Sequence, residues 1–134
     1  MDLITVTHKA GMEFGLCVRG HEVACDMSEK DGGRDEGPSP VELFAGSLGA
    51  CMAMIVQRYC LNHGWQDGKV EVNLTFELAE HPKRVKSIVV DLEIPKDVPQ
   101  DRIAVIRRLA QLCPIHETLQ NPPQVDLDIV ISSN

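Results

Sequence analysis

The sequence predicts an α+β fold, and three observations carry that prediction. Apolar residues alternate with polar ones near the N-terminus and again between residues 70 and 94. Between these stretches, Ser39–Glu42 presents a full set of helix-start signals. Strands and helices also follow one another in blocks rather than in strict alternation, which points away from a parallel α/β sheet. A chain of 134 residues fits one domain, 1–134, with a core that needs no disulfide support. With 43% hydrophobic and 25% charged residues and no biased tract, it is not a disordered chain.

The first element is a meander. Leu3, Ile4 and Val6, then Phe14, Leu16 and Val18, alternate with polar residues, and Gly11 and Gly20 mark the turns. Three strands are expected, ending near Cys25. Met27–Gly37 lacks apolar period and carries Asp31-Gly32-Gly33-Arg34-Asp35-Glu36-Gly37, so it reads as a loop between strand and helix.

Ser39 is an N-cap residue, Pro40 suits the first helical position, and Glu42 completes a capping box. The helix is expected to run to about Asn62 and to stop at His63-Gly64. From Leu43 to Val56 it is apolar on all sides, which predicts burial. Gly46 and Gly49 each cost about 1 kcal/mol of helix propensity relative to alanine, so close approach by another backbone is expected there.

Val70, Val72, Leu74, Phe76 and Leu78 then recur at period two, as do Ile88, Val90, Leu92 and Ile94 after the turn Glu80–Lys83. Two long antiparallel strands follow. Ile103, Ile106, Leu109 and Leu112 fall at helical spacing, Pro114 starts a short helix through Leu119, and Val125, Leu127, Ile129 and Ile131 predict a final strand.

Net charge is −7 with scattered basic residues, so nucleic acid is not an expected partner. Met1–Gly11 has no secretory pattern and the apolar run 43–56 is too short to span a bilayer, so a cytoplasmic location and no membrane partner are expected. In a reducing compartment, five cysteines leave packing, metal binding or redox chemistry.

Two of the five stand apart. Cys51 lies in the apolar helix, and Cys113 precedes Pro114 at a break between helical segments. Together they suggest a reversible dithiol site. Taken alone, Cys51 reads as a small packing residue and Cys113 as the neighbour of a helix terminator. If a helix begins at Pro114, its free N–H groups favour a thiolate at Cys113. Cys60, nine positions after Cys51, faces the other side of the helix and packs. Cys17 and Cys25 flank a tight turn out of register with each other. Cys113-x-x-His116 has ligand spacing, but a structural zinc site needs a second pair and none appears. His116 reads as a helix-surface histidine or as a neighbour tuning Cys113. Ser47 lacks the strand-turn-helix elbow of a serine hydrolase.

Gly37-Pro38-Ser39-Pro40-Val41-Glu42-Leu43-Phe44, the small-residue helix into Leu48-Gly49-Ala50-Cys51, two long strands, and Leu112-Cys113-Pro114-Ile115-His116 follow in that order. Most of the chain from Gly32 onward thus resembles the osmotically inducible protein C and organic hydroperoxide resistance family, OsmC/Ohr. The resemblance implies an OsmC-like α+β fold and an intertwined homodimer, with two long central helices packed against antiparallel sheets. It also implies thiol-dependent reduction of organic or small hydroperoxides, with Cys51 as peroxidatic and Cys113 as resolving cysteine. A dithiol reductant, in this family a lipoyl-bearing protein, restores the thiols, and no metal, flavin or haem cofactor is implied. An apolar helix with close-approach glycines suits such a dimer core.

In the better-characterised branches a glutamate ten residues before the peroxidatic cysteine holds an activating arginine. Here that position is Val41, and the sequence resembles a less-characterised branch with Pro-Val-Glu-Leu at the helix start. Glu42 is the adjacent carboxylate, and Arg19 and Arg34 are the candidate arginines. Burial alone raises a thiol pKa, so a reactive Cys51 needs a positive group or an N–H donor facing it. The alternative function is redox sensing or apolar-ligand binding by the same fold.

Overall fold

The alternating segments pair as antiparallel ladders. In the computed structural model, which describes residues 2–133, β1 (Thr5–Ala10), β2 (Glu13–Val18) and β3 (His21–Cys25) form one sheet in the order β1-β2-β3. The β2–β3 turn places Arg19 and Gly20 at φ 51° and 82°, two consecutive left-handed residues that match the twist of a two-residue hairpin. Its register sets Cys17 opposite Glu22 and Cys25 opposite Phe14, so the two cysteines are not cross-strand partners.

β4 (Glu71–Ala79) and β5 (Arg84–Glu93) form a second ladder. Val72 faces Leu92, Leu74 faces Val90 and Phe76 faces Ile88, so the apolar residues of both strands share one face. The chain divides into two units. One holds both sheets, the loop after β3 and the helix up to Ala50; the other holds Cys51–Val70 and the chain from Ile94 onward.

The loop after β3 is organised by Asp26, the one buried charged residue among those described. Its carboxylate accepts the backbone N–H groups of Met27 (2.7 Å), Glu36 (3.1 Å) and Arg34 (3.3 Å). Burial pushes this carboxyl up, but the N–H donors of Glu36, Met27 and Arg34 outweigh it and hold the pKa below its ordinary value. A side chain at Gly33 would run into the Met27 carbonyl, which is why glycine closes this loop.

α1 (Pro40–Asn62) begins as its sequence requires. The Ser39 N–H donates to Glu42 Oε1 at 2.8 Å, and the Glu42 N–H donates to Ser39 Oγ at 3.3 Å, a complete capping box. Burial on all sides is not observed. Ala45, Leu48, Met52, Val56 and Cys60 form one buried stripe, whereas Phe44, Met54 and Leu61 on other faces are exposed, Met54 by 71%. The helix as a whole is longer than its apolar run 43–56, and the core helix of a soluble protein passes the same length-and-composition test as a membrane span. α1 has 23 residues and is long and apolar enough to cross a membrane by length and composition, with 28% of its apolar window buried. A Cβ on Gly49 would lie 2.7 Å from Leu74 Cδ2 and 3.3 Å from Val72 Cγ1, so side chains of β4, not a backbone, approach it. Nothing lies within 4 Å of the corresponding point on Gly46.

In the second unit α1 stops at Gly64, whose φ is 74°, and the Trp65 N–H returns to the Cys60 carbonyl at 3.0 Å. Asp97 accepts the N–H groups of Gln66 and Asp67, each at 3.1 Å, which ties the segment after α1 to the one before the next helix. A single 3-10 turn, Gln100–Arg102, leads into α2 (Ile103–Gln111), followed by α3 (Pro114–Gln120). Met52, Val56, Cys60, Ile106, Ala110 and Cys113 are its buried apolar residues.

The expected final strand is absent. Residues 121–133 form no strand, and Val125, Leu127, Ile129 and Ile131 lie open to solvent. Alternation supplies a strand's face, but a strand exists only through hydrogen bonds to a neighbour, and no described strand of this chain pairs with the segment.

Candidate functional site: a thiol pair on two helices

Cys113 joins α2 to α3. Its backbone is extended, φ −65° and ψ 143°, as the residue before a proline prefers, and Pro114 then opens α3 with a fixed helical φ. The Cys113 sulfur acts as the N-cap of α3 by accepting the His116 N–H at 3.3 Å. It is 0% exposed.

Cys51 lies midway along α1, between exposed Ala50 and buried Met52, and is itself half-buried. The structure brings these two cysteines together as free thiols, and the Cys51 side chain is one of the groups acting on Cys113. The Cys113 pKa is raised. Burial is the main cause, the His116 N–H works against it, and the neighbouring Cys51 thiol adds to the rise. The donors expected at the start of α3 are therefore present, but the expected thiolate at Cys113 is not favoured, because burial outweighs two N–H groups from a helix of seven residues.

The other candidate residues have partners of their own. The His116 ring places Nδ1 2.8 Å from the Gln111 carbonyl, so this residue acts on Cys113 through its backbone and not through its imidazole. Glu42 is held in the capping box, and the Ser39 N–H and hydroxyl keep its carboxyl below the ordinary value. Arg34 Nη2 lies 3.3 Å from Glu13 Oε1 in an ion pair on the sheet. Arg19 sits at the β2–β3 hairpin tip. The positive group expected to face Cys51 does not appear among the ion pairs and hydrogen bonds of the described residues.

The remaining cysteines are separate. Cys60 is 0% exposed, and burial and then the charge of Asp97 push its thiol pKa up, which makes it an inert packing residue. Cys17 and Cys25 belong to the first sheet. Among the described residues, no group of three or more His, Cys, Asp or Glu is arranged to hold a metal ion.

Sequence reasoning missed Asp26. A lone aspartate before a glycine-rich loop gives no sign that three backbone donors will converge on it. It also missed the cluster that closes α1, where the His63 ring stacks on Trp65 at 4.6 Å and Arg102 donates to the Tyr59 hydroxyl at 3.3 Å.

The sequence model of the OsmC-like protein family matches residues 32–128, a span that contains both cysteines. Among solved structures, a candidate osmotic stress induced and detoxification response protein from Psychrobacter arcticus is similar at a TM-score of 0.80 and 20% identity, with 88% of each chain covered. An OsmC-like protein from Mycoplasma pneumoniae gives 0.75 at 16% identity over 91% of this chain and 89% of that one. The organic hydroperoxide resistance protein OhrB of Bacillus subtilis gives 0.59 at 17% identity over 91% and 92%. No curated protein matches the sequence. These likenesses share the α+β fold with antiparallel sheets, and with the family match over most of its length the chain belongs to the OsmC-like protein family.

Proposed function

We propose that this protein is a thiol peroxidase that reduces organic or small hydroperoxides through Cys51 and Cys113, acting as a single OsmC-like domain in a cytoplasmic homodimer. The observation that carries this reading is the pairing of two free thiols of unequal character. Cys113 is fully buried with a raised pKa, while Cys51 is its partly exposed neighbour. Of the two residues Cys51 is the less buried, so it is the one that a peroxide meets first.

In the first step the Cys51 thiolate attacks one peroxide oxygen, the O–O bond breaks, and the leaving alkoxide takes a proton to become the alcohol. Cys51 is then a sulfenic acid. The Cys113 sulfur displaces its hydroxyl, water leaves, and a disulfide forms. A dithiol reductant, such as a lipoyl-bearing protein, donates two electrons and two protons and restores both thiols. No cofactor takes part. A named hydroperoxide resistance protein among structures of the same fold supports this substrate class. The homodimer reading draws support from the exposed faces of α1, which a second copy of the same helix would cover.

A second reading, redox sensing or apolar-ligand binding without efficient turnover, is favoured by one observation: Glu42 is committed to the cap and Arg34 to Glu13. Consumption of cumene hydroperoxide in the presence of dihydrolipoamide separates the two. Turnover by the wild type that disappears in Cys51→Ser supports the peroxidase. A wild type that forms a single disulfide but does not turn over supports the sensor.

A further inference from the structure

A disulfide offers its reductant two sulfurs, and attack on one makes the other the leaving thiolate. Exchange passes through a mixed disulfide, so the incoming sulfur must touch the sulfur that it attacks. The two cysteines of this pair are not equally open to such contact. Cys113 is 0% exposed, whereas Cys51 keeps part of its surface and follows exposed Ala50 on α1.

The burial of Cys113 is built from its own unit. Val56, Cys60, Ile106 and Ala110 of that unit are buried as well. The Cys113 N–H donates to the Ala110 carbonyl at 3.4 Å, and the Cys113 carbonyl accepts the Glu117 N–H at 2.9 Å, so the residue is tied to the end of α2 and to the start of α3. Uncovering its sulfur means loosening two helix ends. Assembly with a second copy would cover more surface, not less. Leaving-group strength favours the opposite direction of attack, because a thiol whose pKa is raised by burial leaves reluctantly. Access outweighs it, since a sulfur that cannot be touched is not attacked at all.

We infer that the reductant enters this pair at Cys51 alone, with Cys113 always the leaving sulfur. One thiolate of the external dithiol attacks Cys51 Sγ, the Cys51–Cys113 bond breaks, and its electron pair departs on Cys113 Sγ, which takes up a proton. The second thiolate of the reductant then attacks the reductant's own sulfur in the mixed disulfide. That closes the reductant's disulfide and releases Cys51, which takes up the second proton. The dithiol loses two electrons and two protons, and the two cysteines gain them. The His116 N–H, 3.3 Å from Cys113 Sγ, donates to the sulfur on which charge develops. The inference rests on the thiol pair proposed above and adds which sulfur the partner meets.

Peptide mapping of the full-length wild type tests it. Diamide, not peroxide, is used to form the Cys51–Cys113 disulfide, so the result does not depend on peroxidase activity. Glutathione is then added as a probe thiol, and the mixture is quenched in acid. Glutathione should be found on Cys51 and not on Cys113. In parallel, native Cys51→Ser should react at Cys113 with dithiodipyridine about 100-fold or more slowly than native Cys113→Ser reacts at Cys51, because a buried sulfur is reached only through local opening. Urea should abolish the difference. If either variant does not fold, mapping of the wild type still decides. Glutathione on Cys113, or equal native rates at the two sulfurs, overturns the inference. A protein that gives the expected map after diamide but forms no disulfide with cumene hydroperoxide keeps the inference and loses the peroxidase.

Discussion

Two helices of this protein begin on the same four-residue plan and use it differently. Ser39-Pro40-Val41-Glu42 opens α1, and Cys113-Pro114-Ile115-His116 opens α3. Each has a capping side chain, a proline at the first helical position and a backbone N–H that reaches back to the cap at 3.3 Å. At α1 the cap is a hydroxyl near solvent and the Glu42 carboxylate answers it. At α3 the cap is a buried sulfur beside a second thiol, and the His116 side chain turns away to Gln111. Sulfur is a weak acceptor and cysteine is not a preferred cap. The chain uses serine where only a cap is needed and cysteine where the same atom also meets Cys51, a difference that fits the thiol chemistry proposed for the pair.

The largest effect expected from breaking that contrast is functional. Cys113→Ser turns the second helix start into a copy of the first, so α3 should keep its cap and lose only the thiol. Multiple turnover with dihydrolipoamide should fall about 100-fold or more, while Cys51 reacts once and stalls as a sulfenic acid that dimedone traps and excess peroxide over-oxidises. In the wild type, peptide mapping after one equivalent of cumene hydroperoxide should find the Cys51–Cys113 disulfide ahead of any bond to Cys17, Cys25 or Cys60. A Cys113→Ser protein that turns over at the wild-type rate would show that the sulfur serves only as a cap.

Both helix starts were legible in the sequence, because Ser-Pro-x-Glu and x-Pro after a helical run are local signals whose geometry is fixed within four residues. The meander, its register and the β4–β5 hairpin were legible for a similar reason, since period-two patterns and turn glycines act over short spans. The failures are all matters of environment. The raised pKa of Cys113 depends on how much protein surrounds it, which no neighbour in sequence reveals. Burial of α1 was overestimated because apolar composition states what a helix needs to bury, not what one copy of the chain supplies. The strand expected at 125–131 failed for a related reason, since alternation supplies a face and no described strand pairs with the segment. Asp26 was missed because its three donors come from positions one, eight and ten residues away, brought in by the loop it closes.

A stability comparison sharpens the same contrast. Ser39→Ala removes an oxygen cap at a partly solvated helix start and should cost about 1 kcal/mol, because water replaces part of the lost bond. Cys113→Ala removes a weaker cap but leaves its space inside the second unit, and should cost about 2 kcal/mol in urea unfolding. If Cys113→Ala proves cheaper than Ser39→Ala, the site around Cys113 collapses easily and its burial is less structured than the geometry indicates.

The smallest expected effect lies in pH, where the two helix starts should respond in opposite directions. The Glu42 carboxyl is held below its ordinary value of 4.5 by the Ser39 N–H and hydroxyl. The unfolded chain therefore takes up that proton before the folded one does. The resulting stability is present above pH 4.5 and is lost as pH falls through the depressed folded value. The Cys113 thiol is held above its ordinary 9.0, chiefly by burial, so the unfolded chain gives up its proton first. Its contribution is complete below pH 9.0 and is lost as pH rises through the raised folded value. Glu42→Gln should then flatten the acid side of the stability profile, and Cys113→Ser the alkaline side. Neither should flatten its side fully, because Asp26 is also depressed and Cys60 is also raised. Urea midpoints measured under reducing conditions from pH 3 to 10 give both slopes. An alkaline slope unchanged in Cys113→Ser would mean that this sulfur is not the buried thiol that sets it, leaving Cys60 as the group responsible.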